Sequence, residues 1–176
     1  MKLRKLSEQQ LWDYALKTLG ARAQAAGELR EKLRRRAERA MDADAVMARL
    51  KDLGLLNDRQ FAENYAARRV ENEGFGKMRV LADLRGRRVA GAIADQAVRK
   101  AFQGIDETEL AEQFLQRKYR RTPVAEVVAE TKGLAAAYRK LRTAGFSHAV
   151  SVKVLKRHAG QTEILEALEQ EPPPET

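Results

Sequence analysis

Clusters of arginine and lysine recur along this sequence, and they are its best candidates for binding chemistry. The candidate binding residues are Arg22, Arg34, Arg35, Arg36, Arg68, Arg69, Lys77, Arg79, Arg85, Arg87, Arg88, Arg117, Lys118, Arg120 and Arg121. Guanidinium and ammonium groups bind phosphates and carboxylates, so a row of them would suit a nucleic-acid backbone or an acidic protein groove. Each cluster taken alone also fits a solvated helix face, because bases are favoured near helix C-termini.

The overall composition also favours an acidic partner. Lys plus Arg total 34 against 25 for Asp plus Glu, which gives a formal net charge of +9. The sequence contains no cysteine, which excludes disulfides, thiol catalysis and thiolate metal sites. No apolar run approaches the roughly 20 residues of a membrane span, and the N-terminus has no apolar signal core. We therefore expect a cytoplasmic protein without membrane contact.

Other chemistry finds little support in the residues. The segment 74–77, Gly-Phe-Gly-Lys, resembles part of a phosphate loop, but no strand precedes it and Met78 replaces the required Ser or Thr. We interpret it as a break between two helices. The two histidines lie ten residues apart, which does not suit a metal site. We identify no catalytic, cofactor-binding or metal-binding residues, and only Phe75 and Tyr119 are candidates for stacking on bases.

The elements that must position the basic residues are helices. Apolar residues recur at steps of three and four along most of the chain, whereas alternating strand patterns are nearly absent. Side chains that could cap helix N-termini precede several of these stretches. The predicted caps are Ser7 with Gln10, Asp42, Asp58, Asp106 with Glu109, Thr122 before Pro123, and Ser147. The sequence therefore predicts an all-α fold.

An internal repeat sets the domain organisation. Matching stretches begin about every 47 to 50 residues, at Ala15, Ala62 and Ala111, and each has a base seven residues later. Repetition of this kind predicts tandem helical units that pack on their neighbours. We predict three tandem three-helix units, at 8–56, 57–104 and 105–158, which form an elongated, curved array. The third unit is longer in its middle, and 159–176 forms a short helical end with a disordered Pro-rich tail.

Two segments carry a resemblance to a known family. The stretch 27–33 reads GELREKL, and the stretch 50–62 reads LKDLGLLNDRQFA and is followed by Arg68 and Arg69. These segments resemble the signatures of the RecX family over roughly residues 8–158. The family commonly has a glycine after the second helix of each unit, where this sequence has Ala37 and Arg88 nearby.

The resemblance to RecX implies a regulator without catalysis. Such a protein is expected to lie along the groove of the RecA–DNA nucleoprotein filament and to hinder filament extension, ATP turnover and strand exchange, which affects DNA repair and the SOS response. The resemblance implies no cofactor, and we expect a monomer with at most weak direct binding to single- or double-stranded DNA. The alternative is a general DNA- or RNA-binding protein of the helix-turn-helix type.

Overall fold

The structure is a computed structural model that describes residues 4–159, and over this range it is helical. Its ten helices there are α1 (Glu8–Ala21), α2 (Ala26–Arg36), α3 (Ala40–Asp52), α4 (Asp58–Glu71), α5 (Lys77–Gly86), α6 (Gly91–Ala101), α7 (Glu107–Lys118), α8 (Val124–Ala129), α9 (Thr131–Thr143) and α10 (His148–Lys156). The predicted all-α fold is confirmed. None of the described helices is both long and apolar enough to cross a membrane. The predicted helical end and tail lie outside the described residues, apart from Ala159.

Three of the predicted helix caps are confirmed. The backbone N–H of Ser7 donates to Oε1 of Gln10 at 3.2 Å, as expected for a capping box at the start of α1. Asp106 accepts from the backbone N–H two residues later at 2.7 Å. The Ser147 hydroxyl accepts from the N–H three residues later at 3.1 Å. These side chains therefore mark where α1, α7 and α10 begin.

The other three predicted caps are wrong. Thr122 is not the cap of α8, because Pro123 directly precedes the first residue of that helix, Val124. Asp58 is the first residue of α4, and Asn57 before it accepts from the backbone N–H three residues later at 2.9 Å. The Asp58 carboxylate is instead hydrogen-bonded to the backbone N–H of Ala26, the first residue of α2, at 2.7 Å. Asp42 lies buried inside α3, where its carboxylate pairs with Arg39 at 2.7 Å. Neither carboxylate therefore accepts a hydrogen bond from the backbone at the start of its own helix.

The chain divides into two compact units, each with its own core. Among the described residues, the N-terminal unit comprises those up to Tyr65 together with Asp83–Ala97, and the C-terminal unit comprises Ala66–Ala82 and those from Val98 to Ala159. The central core side chains of the N-terminal unit are Leu11, Ala15, Leu29, Leu33, Val46 and Leu50. Those of the C-terminal unit include Phe114, Leu115, Leu134, Leu141, Phe146 and Leu155. The division into three three-helix units stays a prediction.

One type of turn occurs in both compact units. In the C-terminal unit, Gly145 has φ +91° and lies in the turn that follows α9. In the N-terminal unit, Arg88 has φ +61° and lies in the turn that follows α5. The residue after each of them is buried and donates a backbone hydrogen bond of 3.1 Å to the carbonyl five residues earlier. The two turns therefore close their helices in the same way.

Each of these turns packs against a glycine at the start of another helix. A Cβ added to Gly27 would lie 2.4 Å from the carbonyl oxygen of Arg88. A Cβ added to Gly76 would lie 2.4 Å from the carbonyl oxygen of Gly145. Because real Cβ atoms do not approach oxygen so closely, glycine is required at both helix starts. Gly76 belongs to the 74–77 segment, which forms the predicted break between α4 and α5.

Candidate partner-binding surface

Many of the candidate basic residues in the N-terminal unit pair with acids across exposed surface. Arg34 contacts Asp44 at 3.0 Å, and Arg35 contacts Glu31 at 3.0 Å. Arg88 also contacts Glu31, at 3.6 Å, and Arg85 contacts a carboxylate of α6 at 3.8 Å. Exposed ion pairs such as these contribute at most about 1 kcal/mol each. These bases can therefore exchange their intramolecular partner for an acidic group on another molecule.

Glu28 is the centre of an ion-pair network in the N-terminal unit. Its carboxylate accepts from Lys32 at 2.8 Å, from Arg22 at 3.1 Å and from Arg87 at 3.1 Å. The Arg87 guanidinium also lies 4.8 Å from the centre of the Tyr65 ring, which adds a cation–π contact. Arg87 is half-buried, so in this structure it joins α2 to the turn after α5. The exposed candidate bases nearby are better placed to meet a partner.

The network lowers the pKa of the Glu28 carboxyl. Partial burial acts in the opposite direction and raises that pKa, but the hydrogen bonds and charges of Lys32 and Arg87 outweigh it. A folded-state pKa below the unfolded value means that the carboxylate stabilises the fold at pH values above the unfolded pKa. That contribution is lost as the pH falls through the lowered folded-state pKa.

We therefore expect the effect of Glu28→Gln on stability to depend on pH. At pH 7 the variant should be less stable than the wild type, because Arg87 and Lys32 lose their charged partner. The difference should shrink as the pH falls through the lowered folded-state pKa, where the wild-type carboxyl also becomes protonated. Urea denaturation at pH 7 and at about pH 3.5 measures this. Asp52→Asn, at an exposed carboxylate of the same unit, is the control, and a gap for Glu28→Gln that stays constant with pH would contradict the assignment.

Several candidate bases of the C-terminal unit serve the fold. Lys77 forms an ion pair with Glu107, and Arg69 forms one with Glu73. Arg117 donates to the backbone carbonyl of Glu73 at 3.2 Å, which satisfies a carbonyl just beyond the end of α4. All three bases therefore already have partners within the C-terminal unit.

The remaining candidates are mostly exposed. Arg68 is exposed on α4, and Arg120 and Arg121 are exposed just after α7. No acidic side chain within residues 4–159 pairs with Arg120 or Arg121. Arg36 lies with its guanidinium 4.6 Å from the centre of the Tyr14 ring. Of the predicted set, Arg120 and Arg121 are therefore the bases most accessible to an external anion.

Arg79 and Lys118 are brought together by the fold at a basic cleft in the C-terminal unit. This cleft has a volume of about 570 Å³, and Arg139 and Lys140 of α9 also line it. Arg139 and Lys140 are not among the bases predicted from the sequence. Their signal was present in α9, where the buried Leu134, Ala137 and Leu141 leave positions 139, 140 and 143 on the opposite, exposed face. What the sequence did not show is that this face meets α5 and α7.

Both histidines contact other side chains within the described part of the chain. His148 Nδ1 lies 2.8 Å from the Tyr138 hydroxyl, and His158 Nε2 lies 2.6 Å from a carboxylate oxygen of Glu112. Within residues 4–159, no three His, Asp or Glu side chains are grouped so that they could hold a metal ion. Both histidines therefore act as hydrogen-bonding groups in the C-terminal unit.

Comparison with known proteins gives consistent matches. Residues 57–98 match the family profile described as "RecX, second three-helix domain". The chain is 34% identical to the regulatory protein RecX of Deinococcus radiodurans over 151 residues, which cover 85% of this chain and 68% of that protein. It is 35% identical to the regulatory protein RecX of Mycolicibacterium vanbaalenii over 111 residues, 63% of this chain and 60% of that protein.

A solved structure shares the fold. The crystal structure of RecX from Lactobacillus salivarius superposes with a TM-score of 0.62 over 85% of this chain and 95% of that chain. The sequence identity in that comparison is 19%, so this likeness concerns the fold alone.

Proposed function

Because the chain belongs to the RecX family of regulatory proteins, we propose that it inhibits the recombinase RecA without being an enzyme itself. In this proposal it binds the RecA–DNA filament and restrains filament growth, ATP turnover and strand exchange. The single observation that supports the proposal most strongly is the match of 34% identity over 151 residues to a regulatory protein RecX. The RecA partner follows from the resemblance of the 27–33 and 50–62 segments to the RecX signatures.

Charge supports the choice of an acidic nucleoprotein as the partner. The net charge of +9 would attract the protein to a filament that contains DNA and would raise the association rate. Exposed bases occur in both compact units, with Arg34 and Arg35 in the first and Arg120 and Arg121 in the second. A partner that offers several acidic sites could therefore engage both units.

Titration against the RecA ATPase on single-stranded DNA tests the proposal. Substoichiometric amounts of this protein should lower ATP turnover, because a protein bound to a filament affects more than one RecA subunit. The protein alone should hydrolyse no ATP. Arg120→Gln/Arg121→Gln should require several-fold more protein for the same inhibition, and Arg59→Gln/Arg99→Gln, which removes two exposed bases elsewhere, is the matched control. Unchanged turnover at a large excess of wild-type protein in low salt would refute the proposal.

The basic cleft supports one alternative function, which is general binding of DNA or RNA. The two functions differ in their need for RecA. A general nucleic-acid binder would bind naked duplex tightly at physiological salt, and RecA would not change its affinity. A RecA regulator would bind the filament more tightly than naked duplex at the same salt concentration.

A further inference from the structure

The basic cleft of the C-terminal unit has an apolar floor and a basic rim. The apolar side chains that line it are those of Phe75, Phe114, Ala136 and Ala144, and the basic ones are those of Arg79, Lys118, Arg139 and Lys140. Among the described residues that line the cleft, none is acidic. Its volume of about 570 Å³ is large enough for several aliphatic side chains. A ligand with aliphatic groups on one side and carboxylates on the other would therefore match both parts of the cleft.

Aromatic rings hold two of the rim bases in position. The Lys118 ammonium lies 5.3 Å from the centre of the Phe114 ring, and the Lys140 ammonium lies 5.7 Å from the centre of the Tyr119 ring. A cation–π contact fixes where a charge lies without neutralising it. Both ammonium groups can therefore still bind a carboxylate that enters the cleft.

The chain itself contains a segment with the matching chemistry. Residues 160–176, which we call the acidic segment, contain five glutamates and neither lysine nor arginine. Three of these glutamates, at positions 163, 166 and 169, are interspersed with Ile164, Leu165 and Leu168. Residues three and four apart lie on the same face of a helix, so this spacing predicts an acidic side and an apolar side. The acidic segment thus combines the two kinds of group that the cleft can accept.

The acidic segment is also long enough to reach the cleft. The structure describes the chain as far as Ala159, which packs against the same core cluster as Phe75 of the cleft. The last helix, α10, packs on α7 and α9, which carry most of the cleft lining. A helix is about 10–12 Å across, whereas the nine residues 160–168 span up to about 30 Å when extended. The segment can therefore pass around either helix and bring Leu168 to the cleft.

We propose that the acidic segment docks in the basic cleft of its own chain. In this arrangement Leu165 and Leu168 cover the apolar floor, and the three interspersed glutamates pair with bases of the rim. Because the connection to α10 is short, the effective concentration of the segment at the cleft is in the millimolar range, so weak contacts suffice. An acidic partner that uses the cleft must first displace the segment. The acidic segment therefore controls access to this surface.

The inference goes beyond the proposed regulation of RecA, and its test contains neither RecA nor DNA. The chain has no cysteine, so Ala167→Cys gives the full-length protein a single attachment point for a nitroxide spin label. NMR then compares the backbone amide signals with the label oxidised and reduced. At about 0.1 M salt, docking should broaden the signals of Arg139, Lys140 and Thr143, which line the cleft. His158 is close to the label in sequence and is the internal reference for an active label.

Neutralising the acidic segment should release it from the cleft. Exposed ion pairs are individually weak, but the loss of three in Glu163→Gln/Glu166→Gln/Glu169→Gln should lower the equilibrium constant for docking about tenfold. The broadening at Arg139 and Lys140 should fall accordingly. Raising the salt to about 1 M should have a similar effect in the wild-type segment, because the Debye length is then about 3 Å.

The matched control is Asp13→Asn/Asp52→Asn/Glu126→Gln, which removes the same charge from exposed acids elsewhere. It should leave the broadening unchanged, and an equal loss in both triple variants would mean that net charge alone governs the contact. Absence of broadening at the cleft in low salt, or broadening that neutralisation does not change, would also overturn the proposal. Spin-labelled chains mixed with unlabelled, ¹⁵N-enriched chains test the remaining occupant: broadening as strong as within one chain would assign the cleft to a second copy. None of these results bears on inhibition of RecA, which the ATPase titration measures separately.

Discussion

Gly145→Ala is expected to destabilise the C-terminal unit by about 2–5 kcal/mol. Gly145 has φ +91°, which costs a residue with a side chain roughly 1–2 kcal/mol. A Cβ at this position would also lie 2.2 Å from the backbone nitrogen of Arg79, which must then move. Overpacking of this kind adds about 1–3 kcal/mol. Urea denaturation followed by circular dichroism measures the loss.

Gly54→Ala separates the two causes. Gly54 has a similar left-handed φ of +67°, but a Cβ there would meet nothing within 4 Å. It should therefore cost only the backbone term of about 1–2 kcal/mol. Arg88→Gly, at the matching turn of the N-terminal unit, should have the opposite sign and be neutral or slightly stabilising, because glycine adopts φ +61° without strain. If Gly54→Ala and Gly145→Ala cost the same, the close approach to Arg79 is not what requires glycine at position 145.

This turn shows what the sequence can and cannot reveal. The RecX resemblance identified Arg88 as a residue near a position where glycine is common, and the structure gives that residue a positive φ. The helices were predictable because apolar spacing and capping depend on neighbours within about one turn. The contact between Gly76 and Gly145 was not predictable, since these residues are distant in sequence and meet only when the helices pack.

The partners of the charged side chains were also not predictable from the sequence. A list of basic residues treated Arg87 and Arg121 alike, yet Arg87 is bound to Glu28, which lies 59 residues earlier, and Arg121 is exposed. Nothing local distinguishes the two, because the partner of a base depends on which helices become neighbours. For the same reason, only two of the four bases that line the basic cleft were predicted from the sequence. Arg79 and Lys118 belong to basic clusters in the sequence. Arg139 and Lys140 become candidates only because the fold places them in the same cleft as Arg79 and Lys118.

Phe61→Ala is the second large effect that we expect. Phe61 lies in the 50–62 segment that carries the RecX resemblance, is only 8% exposed, and stacks on Tyr65 with 5.9 Å between ring centres. Truncating a buried phenylalanine removes its transfer free energy and leaves a cavity, at a cost of about 3–5 kcal/mol. Because the ring keeps slight exposure, we expect a value near 3 kcal/mol. For a chain of this length that corresponds to a melting temperature lower by roughly 6–12 °C.

Leu55→Ala is the matched control for Phe61→Ala. Leu55 belongs to the same segment but is 46% exposed, so its truncation should change stability by less than about 1 kcal/mol. Comparing the stabilities of the two variants shows whether Phe61 of this segment serves the fold or partner binding. A large loss at Phe61 with little change at Leu55 means that Phe61 serves the fold, and Leu55 is then the better candidate for a partner contact. A melting temperature for Phe61→Ala within a degree of the wild type would instead assign Phe61 to binding, because a ring that can be removed without cost is not supporting the core.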